Sequence, residues 1–451
     1  ANRDGRRPPL RYPRRRPHRR RWRRLQNPEV ISPLGKNNCQ PIRAAPLWGG
    51  PFPIETAFAC YLFARLTALQ LSFKTGEKPL SGPDMSNPYE TLPASAFWRS
   101  AVAEPGPFDL HGLWEPKFPV KRSHRIVTAG SCFAQHIGRA LAADGYGWHD
   151  AEPAPPFLEA ETAKRYNYGI FSFRTGNIYT ARMLNQWLEL AFGNAEAFPE
   201  FWEDMEGRFF DPLRPSIEPD GFASLEECRA ARARTAQALR SAVETADIFI
   251  FTLGLTESWV NVQTGMEYAA CLGTSAGSFD PARHKFENQK FAQIRSALNA
   301  AIDRLKKANA NLRVVLTVSP VPLTATASGQ HVLTATSHSK SVLRAVAGEI
   351  AQERPIVDYF PSYEIITHPV FRGMFYAPNM RSVVATGVKT VMGHFFAEQD
   401  RVFPARNGGK RSAALPLVEP KLAKASGKKR GLSKSDVVCE EEMLDAFRPQ
   451  D

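Results

Sequence analysis

The feature that most constrains this chain is an alternation of short apolar runs with stretches of helical period. RIVTAG (125–130), DIFIFTLG (247–254), LRVVLTVSPVPL (312–323) and IVDYF (356–360) read as buried strands. After the first run, Phe133, Ile137, Ala140 and Leu141 share a helical face, and Gly145 and Gly147 offer a stop. Ser224 opens SLEE, a capping-box pattern with Glu227, ahead of a helix to about Thr245. Residues 288–309 are amphipathic through Phe291, Ile294, Leu298, Ile302 and Leu305, and 339–353 and 385–396 are further helix candidates. Strands alternating with amphipathic helices predict right-handed βαβ units: an α/β, doubly wound parallel sheet with helices on both faces. Residues 151–223 have no clear period and read as a large insertion after the first βα unit, with a helix over 177–193. In such sheets a ligand site lies beyond the carboxyl ends of the strands. Those ends are Gly130-Ser131-Cys132, Gly254-Leu255-Thr256-Glu257, Ser319-Pro320 and the loop after Tyr359.

Charge divides the chain in three. The net charge of +13 comes from residues 1–84 (+12) and 401–451 (+4), while 85–400 carries −3. A basic groove on the folded body is therefore not implied, and a nucleic-acid partner rests on the ends alone. Twelve of residues 1–24 are arginine, and interspersed prolines break any helix, so this reads as a disordered basic arm. Residues 56–73 are the one near-membrane stretch, but it is short and Arg65 sits in its middle, so no membrane span is expected. No methionine precedes Met85, which is read as the natural start, with 1–84 as an extension of the frame. The domain reading is thus 1–84 extension, 85–400 α/β domain and 401–451 Lys-rich disordered tail. Six cysteines without CxxC spacing, and no HExxH, argue against a zinc site and for a reducing, cytoplasmic compartment. No phosphate-binding GxxxxGK[ST] loop is present, and no cofactor is expected.

The segment GSCFA (130–134) after a strand closely resembles the signature of the GSCFA-domain family. FRTGNIYTAR (173–182), FTLGLTESW (251–259), SPVPL (319–323), SKSVLRA (339–345) and FPSYEIIT (360–367) fit the same family in order. The resemblance implies a relation to SGNH/GDSL hydrolases, flavodoxin-like α/β proteins acting mostly as esterases or acyl-hydrolases. It implies an enzyme working through an acyl-enzyme on a small-molecule, acylated carbohydrate or lipid ester, as hydrolase or acyltransferase. The alternative is a binding module that kept the fold and lost the catalytic base.

Carried over by residue, the Gly-Asp-Ser block of SGNH enzymes falls on Gly130-Ser131-Cys132, with Cys132 at the nucleophile position and Ser131 one residue away. Either would stand at a strand-to-helix turn whose N–H groups favour a thiolate or an oxyanion. Ser131 as a helix cap and Cys132 as a small buried hydrophobe is the plainer alternative. The Gly-x-Asn-Asp block falls on Gly254-Leu255-Thr256-Glu257, which assigns Gly254 and Thr256 to the oxyanion. The final Asp-x-x-His is missing: Pro378 and Asn379 replace the acid, and Arg381-Ser382 stand where His is expected. His331, after the SPVPL run, is then the candidate base, paired with a Cys132 thiolate. Arg174, Asn177, Tyr179 and Arg182 form a polar cluster suited to a carboxylate, sugar or phosphate, with Glu257 and Asn379 as further substrate contacts, and a structural ion pair of the arginines with Glu257 or Asp211 as the plainer alternative.

Overall fold

The computed structural model describes residues 87–404 and 437–448. The chain divides into two units, Ala1–Asn87 and Pro88–Asp451, and of the first only Asn87 is described. The arginine-rich arm, the apolar stretch 56–73, Met85 and the Lys-rich 405–436 lie outside the described residues.

Five strands build the central sheet: β1 (Arg125–Gly130), β2 (Gly147–Trp148), β3 (Ile248–Leu253), β4 (Arg313–Val318) and β5 (Val357–Tyr359). All pair in parallel, in the order 2-1-3-4-5. That is the doubly wound order of flavodoxin-like sheets, whose switch point lies between β1 and β3. The helices are α1 (Cys132–Ala143), α2 (Ala160–Arg165), α3 (Ala181–Phe192), α4 (Leu225–Thr245), α5 (Phe291–Ala308), α6 (Val332–Glu353), α7 (Ser362–Thr367) and α8 (Ala385–Val402). Ser224 caps α4 by accepting from the Glu227 N–H at 3.1 Å, and Glu227 reaches back to the Ala223 N–H.

The two faces of the sheet carry two cores, and alternate strand residues point to each. Val127, Ala129, Phe249, Phe251, Leu253, Val314, Leu316 and Val318 pack with α3, α4, α5 and α6. Ile126, Ile248, Ile250 and Val315 pack with α1, α7 and α8. Each fully buried Val, Ile, Leu or Phe among them stabilises the fold by roughly 1.5–3 kcal/mol relative to exposure. Leu110, Trp114, Phe118 and Val120, ahead of β1, complete the second core against Phe360 and Phe395.

Four sequence expectations change. β2, a strand the sequence pattern does not show, follows the helix stop at Gly145, and a three-stranded antiparallel sheet (257–261, 267–268, 284–288) that it does not show either follows β3. Phe291 at the start of α5 is exposed rather than core. The tail is not unpacked throughout, because 437–448 returns to the α/β domain and Glu440 is buried. Among the described residues no helix is long and apolar enough to cross a membrane.

Candidate active site

β1 ends where only glycine fits. Gly130 has φ +130°, and a Cβ there would lie 2.3 Å from the Thr252 carbonyl oxygen of β3. This close approach lets the Ser131 N–H donate to Thr252 O at 2.9 Å as the chain turns into α1. Ser131 therefore stands at the switch point, at the N-terminus of α1. The residue is 2% exposed, and its buried hydroxyl does not cap the helix and has no hydrogen-bond partner among the described residues. An orphaned buried hydroxyl is unfavourable by about 1–3 kcal/mol unless something else uses it. The first N–H groups of α1 have no acceptor within the helix.

Around this turn closes a small cavity of about 10 Å³, room for about one water. Ser131, Cys132, Tyr179, Gly254, Ser319, Lys340 and Glu441 are among its walls. Gly254 is pressed against the serine: a Cβ on it would lie 3.1 Å from Ser131 Cβ and 2.9 Å from the Tyr179 ring. Lys340, about two turns into α6 and on its buried face, is 2% exposed and donates from Nζ to the Gly254 carbonyl. Burial lowers its amine to about 8 against the opposing pull of Glu441 and Cys132. Ser339 beside it accepts from the Thr256 N–H at 3.0 Å, so the SKS block clamps the Gly254–Thr256 loop from below.

A larger cavity of about 200 Å³ adjoins through Tyr179, Leu255, Leu323 and Glu441. Trp259, Phe286 and Met183 give it apolar walls, and Glu257 and Glu267 add carboxylates. Burial pushes the Glu267 carboxyl up to about 7, against hydrogen bonding from Thr180 and the charge of Arg182.

The sequence assignments fare unevenly. Ser131, Cys132 and Gly254 meet at one sheet edge, as the strand-end rule requires. Cys132 is not a ready thiolate: its hydrogen bond with Cys439, its burial and the nearby Glu441 push the thiol well up. His331 does not join them. It is exposed, caps α6 by accepting from the Leu333 N–H at 3.2 Å, and is not among the residues lining the cavity. The oxyanion donors proposed on Gly254 and Thr256 are engaged elsewhere. Gly254 N–H donates to Tyr179 O, and Thr256 Oγ1 donates to Asn288.

Both arginines of the FRTGNIYTAR block are held in ion pairs. Arg174 pairs with Glu218 at 2.8 Å and lies over the Tyr168 ring, and Arg182 pairs with Glu287 at 2.7 Å. Glu257 therefore pairs with neither; it accepts from Thr326 at 2.7 Å. Asn379 is exposed and caps its own turn, accepting from the N–H groups of Arg381 and Ser382. Tyr179 does line the cavity, and Asn177 instead meets Gln135, Val438 and Glu440. Sequence reasoning missed Lys340, although it lies in the SKS block, and missed Arg381, read only as an absent histidine. It also missed the tail, whose Cys439, Glu440 and Glu441 stand over Cys132, Tyr179 and Arg381.

A search of curated proteins finds no match to the chain. The GSCFA family does match, over residues 125–395. That span contains the switch-point turn, the FRTGNIYTAR block, the Gly254 loop, Lys340 and Arg381. Since it covers more than half of the chain and the whole of the central sheet, the protein belongs to the GSCFA family.

Proposed function

We propose that the chain is an acyl-transfer enzyme of SGNH type, an esterase, acyl-hydrolase or acyltransferase, with Ser131 as nucleophile and Lys340 as its base. The observation that carries this reading is the orphaned, buried Ser131 hydroxyl at a helix N-terminus, sharing one small cavity with a buried lysine. A serine needs a base, and a lysine desolvated to about 8 is neutral often enough to act as one. Neutral Lys340 keeps its donation to Gly254 O and takes the Ser131 proton as Oγ bonds to the ester carbonyl carbon. The tetrahedral oxyanion turns to the N–H groups of Cys132 and Phe133 in the first turn of α1, the Ala134 N–H being taken by Ser131 O. Lys340 returns the proton to the departing alkoxide, leaving an acyl-serine. Water or an acceptor alcohol, deprotonated by Lys340, then attacks the acyl carbon, and Lys340 passes that proton to Ser131 Oγ as the acyl bond breaks. The adjoining cavity, with its Trp259 and Phe286 walls, suits the acyl or sugar portion of a carbohydrate or lipid ester.

Hydrolysis of p-nitrophenyl esters by the purified protein tests this. Ser131→Ala should lower kcat by about 100-fold or more, and a fluorophosphonate should label Ser131. Cys132→Ala should keep most of the activity. Loss in Cys132→Ala with retention in Ser131→Ala would return the nucleophile to the thiol. A second reading, a binding module without chemistry, draws on the engaged N–H groups of Gly254 and Thr256. Absence of both ester turnover and fluorophosphonate labelling would favour it.

A further inference from the structure

The segment after residue 436 meets the domain through a set of contacts too complete for a passing tail. Gln135, on α1, reads the backbone of Val438 both ways: its Oε1 accepts the Val438 N–H at 3.1 Å and its Nε2 donates to the Val438 carbonyl at 2.7 Å. Asn177 donates to that carbonyl at 2.9 Å and is itself held by Gln135 at 3.0 Å. One residue pair further on, the Glu440 carboxylate is 3% exposed and receives three donors: Asn177 Nδ2, Tyr179 Oη at 2.8 Å and Ser216 Oγ at 2.8 Å. Arg381 pairs with Glu441 at 3.2 Å and Glu442 at 3.3 Å and donates to Cys439 Sγ. Cys439 lies against Cys132 and Tyr179.

We propose that Gln135, Asn177, Tyr179, Ser216 and Arg381 form a receptor for a short acidic peptide segment, filled in cis by Val438–Glu442, which covers the Ser131–Cys132 turn. The chemistry of the receptor is specific. A side-chain amide that both accepts from and donates to one residue selects an extended peptide backbone. Three neutral donors converging on one buried carboxylate select an anion, and the charge-assisted bonds to it are stronger than neutral ones. The arginine adds a preference for further acid on the carboxyl side. The receptor lies within the family-matched span and its occupant beyond it, so the two are separable parts of the chain. Release of the segment takes Cys439 and Glu441 away from Cys132, the groups that, with burial, hold its thiol up. The inference deepens the acyl-transfer reading, since occupancy would close that site, but the receptor itself does not depend on catalysis.

The test reads access to the thiol. The full-length protein is treated with iodoacetamide, and modification of Cys132 is followed by mass spectrometric mapping. Cys132 should react slowly in the unaltered chain and about tenfold or more faster in Glu440→Ala, the change expected on losing a charged hydrogen bond. Glu440→Gln, which keeps the shape, should fall between. A synthetic peptide of residues 437–448 carrying Cys439→Ser should restore protection to the Glu440→Ala protein, and the same peptide with Glu440→Gln should restore much less. An unchanged rate in Glu440→Ala, or equal protection by both peptides, would overturn the receptor. A protein that turns over no ester would still show the expected pattern, so this result and the failure of the acyl-transfer reading are distinguishable.

Discussion

At the scale of single residues, two side chains decide what the switch point can do. Lys340 must lose a proton before it can accept one from Ser131. Burial lowers its amine to about 8, so raising the pH increases the competent fraction. From pH 7 to pH 9 that fraction goes from about a tenth to about nine-tenths, and ester hydrolysis should rise about ninefold and then level. Arginine stays charged over this range, so Lys340→Arg should lose both the rise and about 100-fold or more of kcat. A flat profile between pH 7 and 9 in the unaltered protein would count against lysine as the base. Gly130 has the opposite character, a residue defined by what cannot be there. Its φ is +130°, and an added methyl would meet the Thr252 backbone, which cannot swing aside without parting β1 from β3. Gly130→Ala should cost about 3 kcal/mol or more in urea unfolding, from strain and overpacking together. A midpoint close to that of the unaltered protein would show that the turn can relax.

At the scale of elements, the loop between α3 and α4 is held by charge. Asp211, fully buried, accepts from Arg214 Nε at 2.9 Å and Arg232 Nη2 at 2.6 Å. Burial raises the Asp211 carboxyl, but the two guanidiniums outweigh it and hold it below the ordinary carboxylate range. Its contribution is therefore present above the unfolded pKa and is lost as pH falls through the folded one. Asp211→Ala leaves two buried cations unpaired, and should destabilise by about 3–5 kcal/mol at neutral pH. A loss under about 1 kcal/mol in chemical unfolding at pH 7 would mean that water takes over the arginines. Elements like β1, β3 and β4 were legible because a strand buried on both faces is a continuous apolar run, as in IFIFTL. α5 was legible because its buried residues recur at helical spacing. β2 was not, since two residues cannot make a run, and the strands at 257–288 mix Glu, His, Lys and Asn with their apolar residues. Within the site, Gly130, Ser131 and Gly254 were readable from strand ends. Lys340 was not, because a lysine in a helix signals an exposed face until the fold buries it. The roles of His331 and Asn379 failed for a related reason: both serve local caps, and neither carries the Glu or Gln three residues on that made the Ser224 cap readable.

At the scale of the whole molecule, the division is between what makes the fold and what rests on it. The hydrophobic cores draw on β1 to β5, the helices on both faces and Leu110–Val120, and none of them includes a residue of 437–448. The segment is attached by polar contacts: Gln135, Asn177, Tyr179, Ser216 and Arg381 supply its named partners. When such groups exchange a protein partner for water, the net loss per hydrogen bond is about 0.5–1.5 kcal/mol, and part of it is offset by the freedom the released chain regains. The cooperative unit should therefore survive without its occupant. A chain ending at residue 404 should unfold in a single calorimetric transition, with calorimetric and van't Hoff enthalpies equal and a Tm within a few degrees of the intact protein. Cys132 in that chain should be open to alkylation from the outset. A broad or divided transition would make 437–448 part of the fold itself, because a removable occupant can lower Tm but cannot split the transition of cores it does not enter.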